Sequence, residues 1–387
     1  MTKCLVTKLK EVVEDYNLIK LGEIRIKVKK ADFPTRSSQY LLIRSEENID
    51  IKVLGGGRYL STDAAMTSGD NHISIPANVD TEIYFINGDY DVSISNKYSL
   101  TKINASESSS QVHKNYGLNI DDLAYSNRLQ YINLFNTDSY GDLSSFQNLT
   151  ELFYLNVSLC SKIYGDISVL SNLVGLTYVS LYSTGIEGDL KYLAPLANAE
   201  TISIHRTKVY GDISVLANFI NARYINISET GVTGNIQSLS RLNRLSTISL
   251  YKLNVTGDLS YFSNIVTLSY LDLSYTNIGG DLSSLSNLVE LAYLSLQQVD
   301  IVGDIDSLGG MKKLKNLLIE AGGITGSIES LIAGFRASGV NEGSIATPQI
   351  KKWGSVTYNS IELKNDSNII NSTNNKLIWT SDNISIL

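Results

Sequence analysis

The chain of 387 residues has a net charge of −7, and 43% of its residues are hydrophobic while 18% are charged. This balance excludes wholesale disorder, and the acidic charge argues against nucleic acid as a partner. The length suffices for two or three domains or for one long repeat array with caps. Cys4 and Cys160 are far apart in the sequence and predict two reduced thiols rather than a disulfide framework.

The first residues of the chain contain neither an apolar core nor a small-residue cleavage site, so we expect no secretory signal. No apolar run in the sequence approaches the roughly 18 residues of a membrane span. The sequence therefore predicts a protein that folds in a reducing cytoplasm and does not cross a membrane.

Residues 1–103 are predicted to form a separate N-terminal β domain that serves anchoring or assembly. The strict alternation over residues 24–29 predicts a strand with Arg25, Lys27 and Lys29 on one exposed face. Further strands are predicted at residues 40–43, 49–54, 72–75, 82–86 and 90–94, a spacing typical of a small sandwich or barrel. The basic stripe could dock an acidic partner, but a solvated face or a protected edge strand is favoured.

Residues 104–117 are polar and serine-rich and are predicted to be a linker. A repeat array follows over residues 118–328. Its marker is a glycine, then Asp, Asn or Ser, then Leu or Ile, which recurs at Gly141, Gly165, Gly188, Gly211, Gly234, Gly257, Gly280, Gly303 and Gly326. The first interval is 24 residues and every later one is 23, so an internal repeat is firmly indicated.

The apolar positions within each unit resemble those of the leucine-rich repeat family. The unit that shows them most cleanly has Leu268, Leu271, Leu273, Thr276, Ile278, Gly280 and Leu282. The resemblance implies a mainly β solenoid of about nine repeats, each with one short strand and a short return segment on the convex side. Where the family has Asn after the strand, this chain mostly has threonine, at Thr137, Thr184, Thr207, Thr230 and Thr276. We expect their hydroxyls to make some of the same backbone hydrogen bonds.

Residues 329–387 are predicted to be a small C-terminal β cap. A short helix is expected over residues 329–338, followed by strands near residues 352–358, 377–379 and 384–386. Both tryptophans lie in this region and are expected to form the core of the cap.

Stacked repeats align equivalent residues into rows, and the residue before the strand Leu or Ile should face the concave side. This row is Tyr131, Tyr154, Tyr178, Thr201, Tyr224, Thr247, Tyr270, Tyr293 and Asn316. Two residues further on, the row is Asn133, Asn156, Ser180, Ser203, Asn226, Ser249, Asp272, Ser295 and Leu318. A surface of Tyr, Ser and Asn suits the binding of a protein or a sugar. The alternative is that cross-strand tyrosine stacking only stabilises the sheet.

The candidate ligand-binding residues lie on this face. They are Tyr131, Tyr154, Tyr178, Tyr182, His205, Arg206, Tyr224, Glu229, Tyr251, Lys252, Tyr270, Tyr275 and Tyr293. The most varied part of the face, residues 178–275, is the predicted centre of the site.

A second row consists mainly of aspartates: Asp142, Asp166, Asp189, Asp212, Asn235, Asp258, Asp281, Asp304 and Ser327. Carboxylates at one-strand spacing suggest a calcium ladder. Capping of each turn is favoured, because Asn235 and Ser327 are capping residues but poorer cation ligands. A third row, Asn148, Asn172, Asn218, Asn264 and Asn287, is interpreted as buried amides that satisfy the return turns.

The sequence gives little support for catalysis. His72, His113 and His205 are scattered, and no Cys/His cluster has metal-ligand spacing. There is no nucleophile elbow and no phosphate-binding loop. We therefore expect no enzyme, no cofactor and no metal site.

Residues 3–10 (KCLVTKLK), residues 21–27 (LGEIRIK) and the Thr-x-Ile/Val-x-Gly-Asp repeats also resemble leucine-rich repeat virion proteins of Bacteroides-infecting, crAss-like phages. This resemblance implies a fibre- or tail-associated virion protein that folds in the host cytoplasm. Its partners would be other virion structural proteins, through the N-terminal domain, and a host cell-surface glycan or protein. A homo-oligomer or multi-copy assembly is expected. The alternatives are a structural decoration or scaffold without a ligand, and a cytoplasmic protein-interaction module.

Overall fold

The computed structural model describes residues 24–28, 42–45, 51–55, 58–60, 69–72, 90–94, 100–104, 116–311, 313–314, 316–321, 323–326, 349–350, 377–380 and 383–386. The contacts between Cα atoms divide the chain into two compact units. Unit 1 is Met1–Glu187 and unit 2 is Gly188–Leu387.

The strands of unit 1 begin in the region of the predicted N-terminal domain. They are β1 (Ile24–Val28), β2 (Leu42–Ser45), β3 (Ile51–Gly55), β4 (Arg58–Leu60), β5 (Gly69–His72), β6 (Tyr90–Ile94), β7 (Leu100–Asn104), β8 (Tyr116–Leu118), β9 (Tyr131–Asn133), β10 (Tyr140–Asp142), β11 (Tyr154–Asn156), β12 (Lys162–Asp166), β13 (Tyr178–Ser180) and β14 (Gly185–Asp189), within which the division falls.

Strand β1 is central in a sheet of order β4-β3-β6-β1-β8, where it pairs antiparallel with β6 and with β8. The interpretation of its basic stripe as a protected edge strand is therefore wrong. Arg25 and Lys27 lie on this strand, whereas Lys29 lies outside the described residues. The strands predicted from the sequence at residues 24–29 and 90–94 are confirmed, whereas the one at 82–86 lies outside the described residues.

Three strands of the N-terminal region belong to the first-strand sheet of the repeats rather than to the sheet of β1. Strand β7 is parallel to β9, β2 is antiparallel to β7, and β5 is antiparallel to β2. The order in unit 1 is thus β13-β11-β9-β7-β2-β5. The domain boundaries at residues 103, 117 and 328 stay predictions.

Each repeat contains two strands, whereas the sequence predicted one strand and a return segment. In unit 1 the first strands β9, β11 and β13 form one parallel sheet, and the second strands β10, β12 and β14 form another. The chain turns between them at a residue with left-handed backbone, such as Leu159 at φ 61°. The second strand arises from an alternation that the leucine pattern obscures: in β12 the Ile163 side chain is buried between the exposed Lys162 and Tyr164.

Unit 2 continues the same two-strand repeat. Its strands are β15 (Thr201–Ser203), β16 (Lys208–Asp212), β17 (Tyr224–Asn226), β18 (Gly231–Asn235), β19 (Thr247–Ser249), β20 (Asn254–Asp258), β21 (Tyr270–Asp272), β22 (Asn277–Asp281), β23 (Tyr293–Gln297), β24 (Asp300–Asp304), β25 (Asn316–Glu320), β26 (Gly323–Thr325), β27 (Gln349–Ile350), β28 (Leu377–Thr380) and β29 (Asn383–Ile386). The first-strand sheet has the order β27-β25-β23-β21-β19-β17-β15, and the second has the order β26-β24-β22-β20-β18-β16.

Strands β28 and β29 form an antiparallel pair, which confirms the strands predicted at residues 377–379 and 384–386. The predicted helix over residues 329–338 and the strand at residues 352–358 lie outside the described residues.

A short 3-10 helix follows β8 and each second strand from β10 to β24, and forms the return segment. These helices are Ile120–Leu123, Leu143–Phe146, Ile167–Asn172, Leu190–Leu193, Ile213–Asn218, Ile236–Arg241, Leu259–Phe262, Leu282–Leu285 and Ile305–Leu308. The aspartate row begins them: the Oδ1 atom of Asp258 accepts the Ser260 backbone N–H at 2.8 Å, and Asn235 does the same for Gln237 at 2.8 Å. The capping prediction is confirmed for residues 142–304 of this row, and Ser327 lies outside the described residues.

The glycine of each repeat packs against the aspartate cap of the preceding repeat. Gly280 has φ 118°, and a Cβ atom there would lie 2.9 Å from Oδ2 of Asp258 in the preceding repeat. Hydrogen bonds from Ser260, from its side chain and its backbone N–H, lower the pKa of Asp258, and the carboxylate therefore stays ionised in this position. The asparagine row of the return segment is exposed at Asn148, Asn172, Asn218, Asn264 and Asn287, so its interpretation as buried amides is wrong.

The core of both units is built by the leucine pattern. The largest fully buried side chains are those of Phe146, Phe219 and Phe262. The threonine prediction is confirmed, because the Thr276 hydroxyl donates to the Leu273 carbonyl at 2.6 Å and the other four threonines make the equivalent bond. Cys160 takes the threonine position in one repeat and is a buried thiol outside any disulfide.

Candidate functional site

The tyrosine row, formed by the first residue of each first strand, is a continuous stack in unit 1. The rings of Tyr131 and Tyr154 are 4.1 Å apart at an interplanar angle of 11°. Those of Tyr154 and Tyr178 are 4.2 Å apart at 10°. Burial raises the pKa of the Tyr154 hydroxyl, and the neighbouring Tyr131 adds to that effect. Both faces of the Tyr154 ring are therefore occupied by its own neighbours.

The same row is interrupted in unit 2. Tyr270 and Tyr293 stack at 4.2 Å and 6°, but Thr247 stands in register between Tyr224 and Tyr270. Tyr224 also has a threonine, Thr201, in register on its other side. Among the described residues, no ring contact involves Tyr224. The side chains of this row in unit 2 are partly exposed at Thr201, Tyr224, Thr247, Tyr270 and Tyr293. The row here therefore contains aromatic surface that is not stacked.

The Ser and Asn row is not available to a ligand in the way that the sequence suggested. Ser295 is 1% exposed and Asn156 is 7% exposed. The Ser274 and Ser295 hydroxyls are 2.7 Å apart, and Oδ1 of Asn156 accepts the Ser158 backbone N–H at 3.2 Å. These groups satisfy the backbone and one another, because the larger side chains of the flanking rows cover them.

A charged row lies beyond the first strands of unit 2, formed by Arg206, Glu229, Lys252 and Tyr275. The Arg206 Nε atom donates to Oε1 of Glu229 at 2.8 Å, and Lys252 Nζ lies 3.9 Å from Oε2 of the same carboxylate. Lys252 Nζ also lies 4.9 Å from the ring centroid of Tyr251. The Tyr251 and Tyr275 rings meet edge to face at 5.6 Å. Five predicted site residues, Tyr251 among them, thus form one connected patch.

The charged row has an unusual backbone. Arg206, Glu229, Lys252 and Tyr275 all have φ between 54° and 59°. This left-handed conformation costs most L-residues roughly 1 kcal/mol and favours Gly or Asn. The repeat imposes the turn, and large side chains occupy it at an energetic cost.

Two ionisable groups border this patch. Burial lowers the pKa of His205 to about 4, and the nearby Arg206 guanidinium adds to the shift, so the imidazole is neutral at pH 7. Its Nδ1 atom lies 3.1 Å from the Ser203 hydroxyl. Burial raises the pKa of Asp272, whose Oδ1 atom accepts the Ser274 backbone N–H at 3.1 Å.

The predicted site residues therefore fall into separate groups. Tyr131, Tyr154 and Tyr178 form the stack of unit 1, where Tyr182 lies 6.3 Å from the Phe135 ring. The remaining predicted residues belong to unit 2. The residue that sequence reasoning missed is Thr247, because a small side chain in a tyrosine row carries no chemistry of its own. The sequence did contain a signal for it, namely a threonine between two tyrosines of the tyrosine row.

Among the described residues, no group of three or more His, Cys, Asp or Glu side chains is placed to hold a metal ion. Within the same part of the chain, no helix has the length and apolar character needed to span a membrane.

Comparison with solved structures supports the fold. The chain is similar to a plant peptide hormone receptor, RGFR1, in complex with RGF2, at a TM-score of 0.52 and 23% identity over 61% of this chain and 38% of the receptor. It is also similar to a TDR receptor at a TM-score of 0.52 and 24% identity, over 61% of this chain and 41% of that one. The chain thus spans about two fifths of the length of these receptors. No family model and no curated protein matches the sequence.

This likeness, together with the two parallel sheets of each unit, shows that the fold is a leucine-rich-repeat solenoid, mainly β, as the sequence resemblance predicted.

Proposed function

We propose that the chain is a non-enzymatic recognition protein that binds its ligand through the first-strand face of unit 2. The charged row is the observation that carries this proposal. It places exposed Arg206, Lys252 and Tyr275 at fixed positions, in a backbone conformation that disfavours such side chains. The repeat imposes this backbone at eight equivalent positions, but among the described residues charged side chains occupy it only at Arg206, Glu229 and Lys252. A structure of the same fold is described as a peptide hormone receptor in complex with its ligand, which is compatible with a binding role.

The finer proposal is that the protein is a virion component that binds a host cell-surface glycan or protein. It rests on the sequence motifs at residues 3–10 and 21–27 and on the repeats. In this proposal the N-terminal region, including Arg25, Lys27 and Lys29, attaches to other virion structural proteins, and several copies are present in each particle. A cytoplasmic location is the alternative. Mass spectrometry of purified phage particles should find the protein at a fixed copy number, and its absence from the particles would contradict the virion assignment.

The recognition proposal is tested by binding to intact Bacteroides cells and to their purified capsular polysaccharide. Replacing Tyr224, Tyr251 and Tyr270 together with alanine should abolish binding and leave most of the stability. Tyr224 has no ring partner among the described residues, and Tyr251 and Tyr270 each lose one ring contact, with Tyr275 and Tyr293. The matched control replaces Tyr140, Tyr164 and Tyr210, which are 41%, 54% and 54% exposed on the second-strand sheets. Unchanged binding by the first triple variant would rule out this face as the site.

The second candidate function is a structural decoration or scaffold without a ligand. The closed stack of Tyr131, Tyr154 and Tyr178 favours it for unit 1, because those rings bind one another. If neither the wild type nor either triple variant binds any of the tested surfaces, this alternative is supported.

A further inference from the structure

The tyrosine row of unit 2 lacks a ring at one strand, where Thr247 stands in register between Tyr224 and Tyr270. Elsewhere in the row, successive strands carry parallel rings with centroids 4.1 to 4.2 Å apart and interplanar angles of 6° to 11°. Tyr270 uses one ring face against Tyr293, so its other face is turned toward Thr247. Tyr224 lies one strand beyond Thr247 on the far side.

We propose that the gap over Thr247 binds a single aromatic side chain from a segment of a partner protein, and that an acidic residue of the same segment pairs with Lys252. This inference deepens the proposed function, since it requires the first-strand face of unit 2 to be a recognition surface. It names the class of ligand and the position at which the ligand is anchored.

The width of the gap favours a planar ring. Tyr224 and Tyr270 are two strands apart, which separates their rings by about 8 to 10 Å. An aromatic ring stacked between them would lie about 4 to 5 Å from each, the normal distance for parallel aromatic groups. Thr247 is partly exposed, and its short side chain would form the floor under such a ring.

The charge beside the gap selects the rest of the partner segment. From Thr247 the chain follows the strand Thr247–Ser249 and then turns at Lys252, so Tyr251 lies at most about 13 Å from Thr247. Two cations, Arg206 and Lys252, share the one carboxylate of Glu229, so the charged row has an excess positive charge in a chain of net charge −7. Lys252 makes the longer contact and its side chain is 50% exposed. An exposed pair of this kind is weak and is readily exchanged for a ligand carboxylate.

The two anchors define a recognisable sequence pattern. An extended peptide rises about 3.3 Å per residue, so an aromatic residue over Thr247 would be followed or preceded by Asp or Glu about four positions away. Tyr251, with Lys252 beside one ring face, lies between the two anchors. The remaining positions of the peptide are unconstrained by charge.

The inference is tested by a substitution that places a ring in the gap. Thr247→Tyr completes the row, and the three consecutive tyrosines of unit 1 show that the repeat accepts such a stack. The matched control is Asn316→Tyr, which extends the row beyond Tyr293 and leaves the gap open. A random heptapeptide library displayed on a carrier is selected on the full-length wild-type protein, and the enriched peptides are then measured by calorimetry on all variants.

We expect the enriched peptides to contain one aromatic residue with Asp or Glu three to five positions away. Thr247→Tyr should weaken their binding at least about tenfold, whereas Asn316→Tyr should leave it unchanged. Lys252→Asn should weaken binding about threefold and reduce its salt dependence, with no loss of folding because φ is 56° at this residue. Circular dichroism melting of each variant confirms that the fold is retained.

Three results would overturn the inference. The first is an enriched set without the aromatic residue, or no enrichment at all. The second is equal binding to wild type and Thr247→Tyr. The third is binding of sugars on a glycan array by the wild type but not by Thr247→Tyr, with no peptide enriched. That result would assign the gap to a carbohydrate. If Bacteroides cells bind wild type and Thr247→Tyr equally, only this inference fails; if they bind neither and no peptide is enriched, the proposed function fails with it.

Discussion

The tyrosine row has the same repeat position in the two units but a different state in each. In unit 1, Tyr131, Tyr154 and Tyr178 stack into a closed set with rings 4.1 to 4.2 Å apart. In unit 2, Thr247 interrupts the row and leaves Tyr224 outside any stack among the described residues. A repeat position therefore fixes where a side chain lies, and the identity of the residues one strand away decides whether its ring is covered or open.

The charged row strengthens this contrast. The left-handed position in unit 1 is occupied by Asn136, Leu159 and Ser183, whereas in unit 2 it includes Arg206 and Lys252. Unit 1 thus combines a closed aromatic stack with small or uncharged residues. Unit 2 combines unstacked aromatic surface with charges, and this is the physical basis for placing the proposed recognition site there.

The largest expected effect tests whether the two units share one frame. Gly165→Ala in unit 1 and Gly280→Ala in unit 2 should each destabilise the protein by roughly 3 kcal/mol, because both glycines have φ near 120° and face the preceding aspartate cap. Guanidinium unfolding followed by circular dichroism measures the loss. Gly310→Ala is the control, since nothing lies within 4 Å of its added Cβ atom. A large loss at only one of the two sites would show that the frames differ, and the comparison of their tyrosine rows would lose its basis.

The second prediction compares the tyrosines directly. Tyr154→Ala removes two ring stacks and should cost about 2 to 3 kcal/mol, whereas Tyr224→Ala removes none and should cost about 1 kcal/mol. The same unfolding assay measures both, with the exposed Tyr164→Ala as a control of small effect. Equal costs for Tyr154→Ala and Tyr224→Ala would mean that stacking does not distinguish the units.

The smallest effect concerns one carboxylate in the Ser and Asn row. Unit 1 has Asn156 where unit 2 has Asp272, and both accept a backbone N–H from the serine two residues later. Because burial raises the pKa of Asp272, its ionised form opposes folding, and stability is lost as the pH rises through that pKa. Asp272→Asn should therefore raise the melting temperature at pH 7 by a few degrees.

The advantage of Asp272→Asn should shrink as the pH falls and Asp272 becomes protonated in the wild type. Melting curves from pH 3.5 to pH 8 measure this dependence. The control is Asp258→Asn, at a cap where Asn235 shows that an amide makes the same hydrogen bond. Its carboxylate has a lowered pKa, so that the ionised form favours folding, and its replacement should give no gain at pH 7. A gain for Asp272→Asn that persists at low pH would contradict the assigned role of burial.

Local chemistry made part of the fold predictable. The glycine, aspartate and leucine positions recur at a fixed interval, and each has a duty within its own turn, so the caps at Asp258 and the threonine bonds at Thr276 follow from residue type. The second strand was missed because the buried Ile163 is flanked by exposed residues in only a five-residue alternation. The edge position of Arg25 and Lys27 was wrong because strand order depends on pairing with β6 and β8, which are distant in the sequence.

The sequence by itself determined the repeat, its period, its core and the rows into which side chains fall, because these depend on spacing along one chain. Only the tertiary structure decided which members of a row are occupied by their neighbours. Ser295 became a buried hydrogen-bonding group and Tyr154 a stacked one, while Thr247 left the row without a ring between Tyr224 and Tyr270. Coverage of that kind depends on the volume of side chains one strand away, a distance of about 5 Å in space but 23 residues in the sequence.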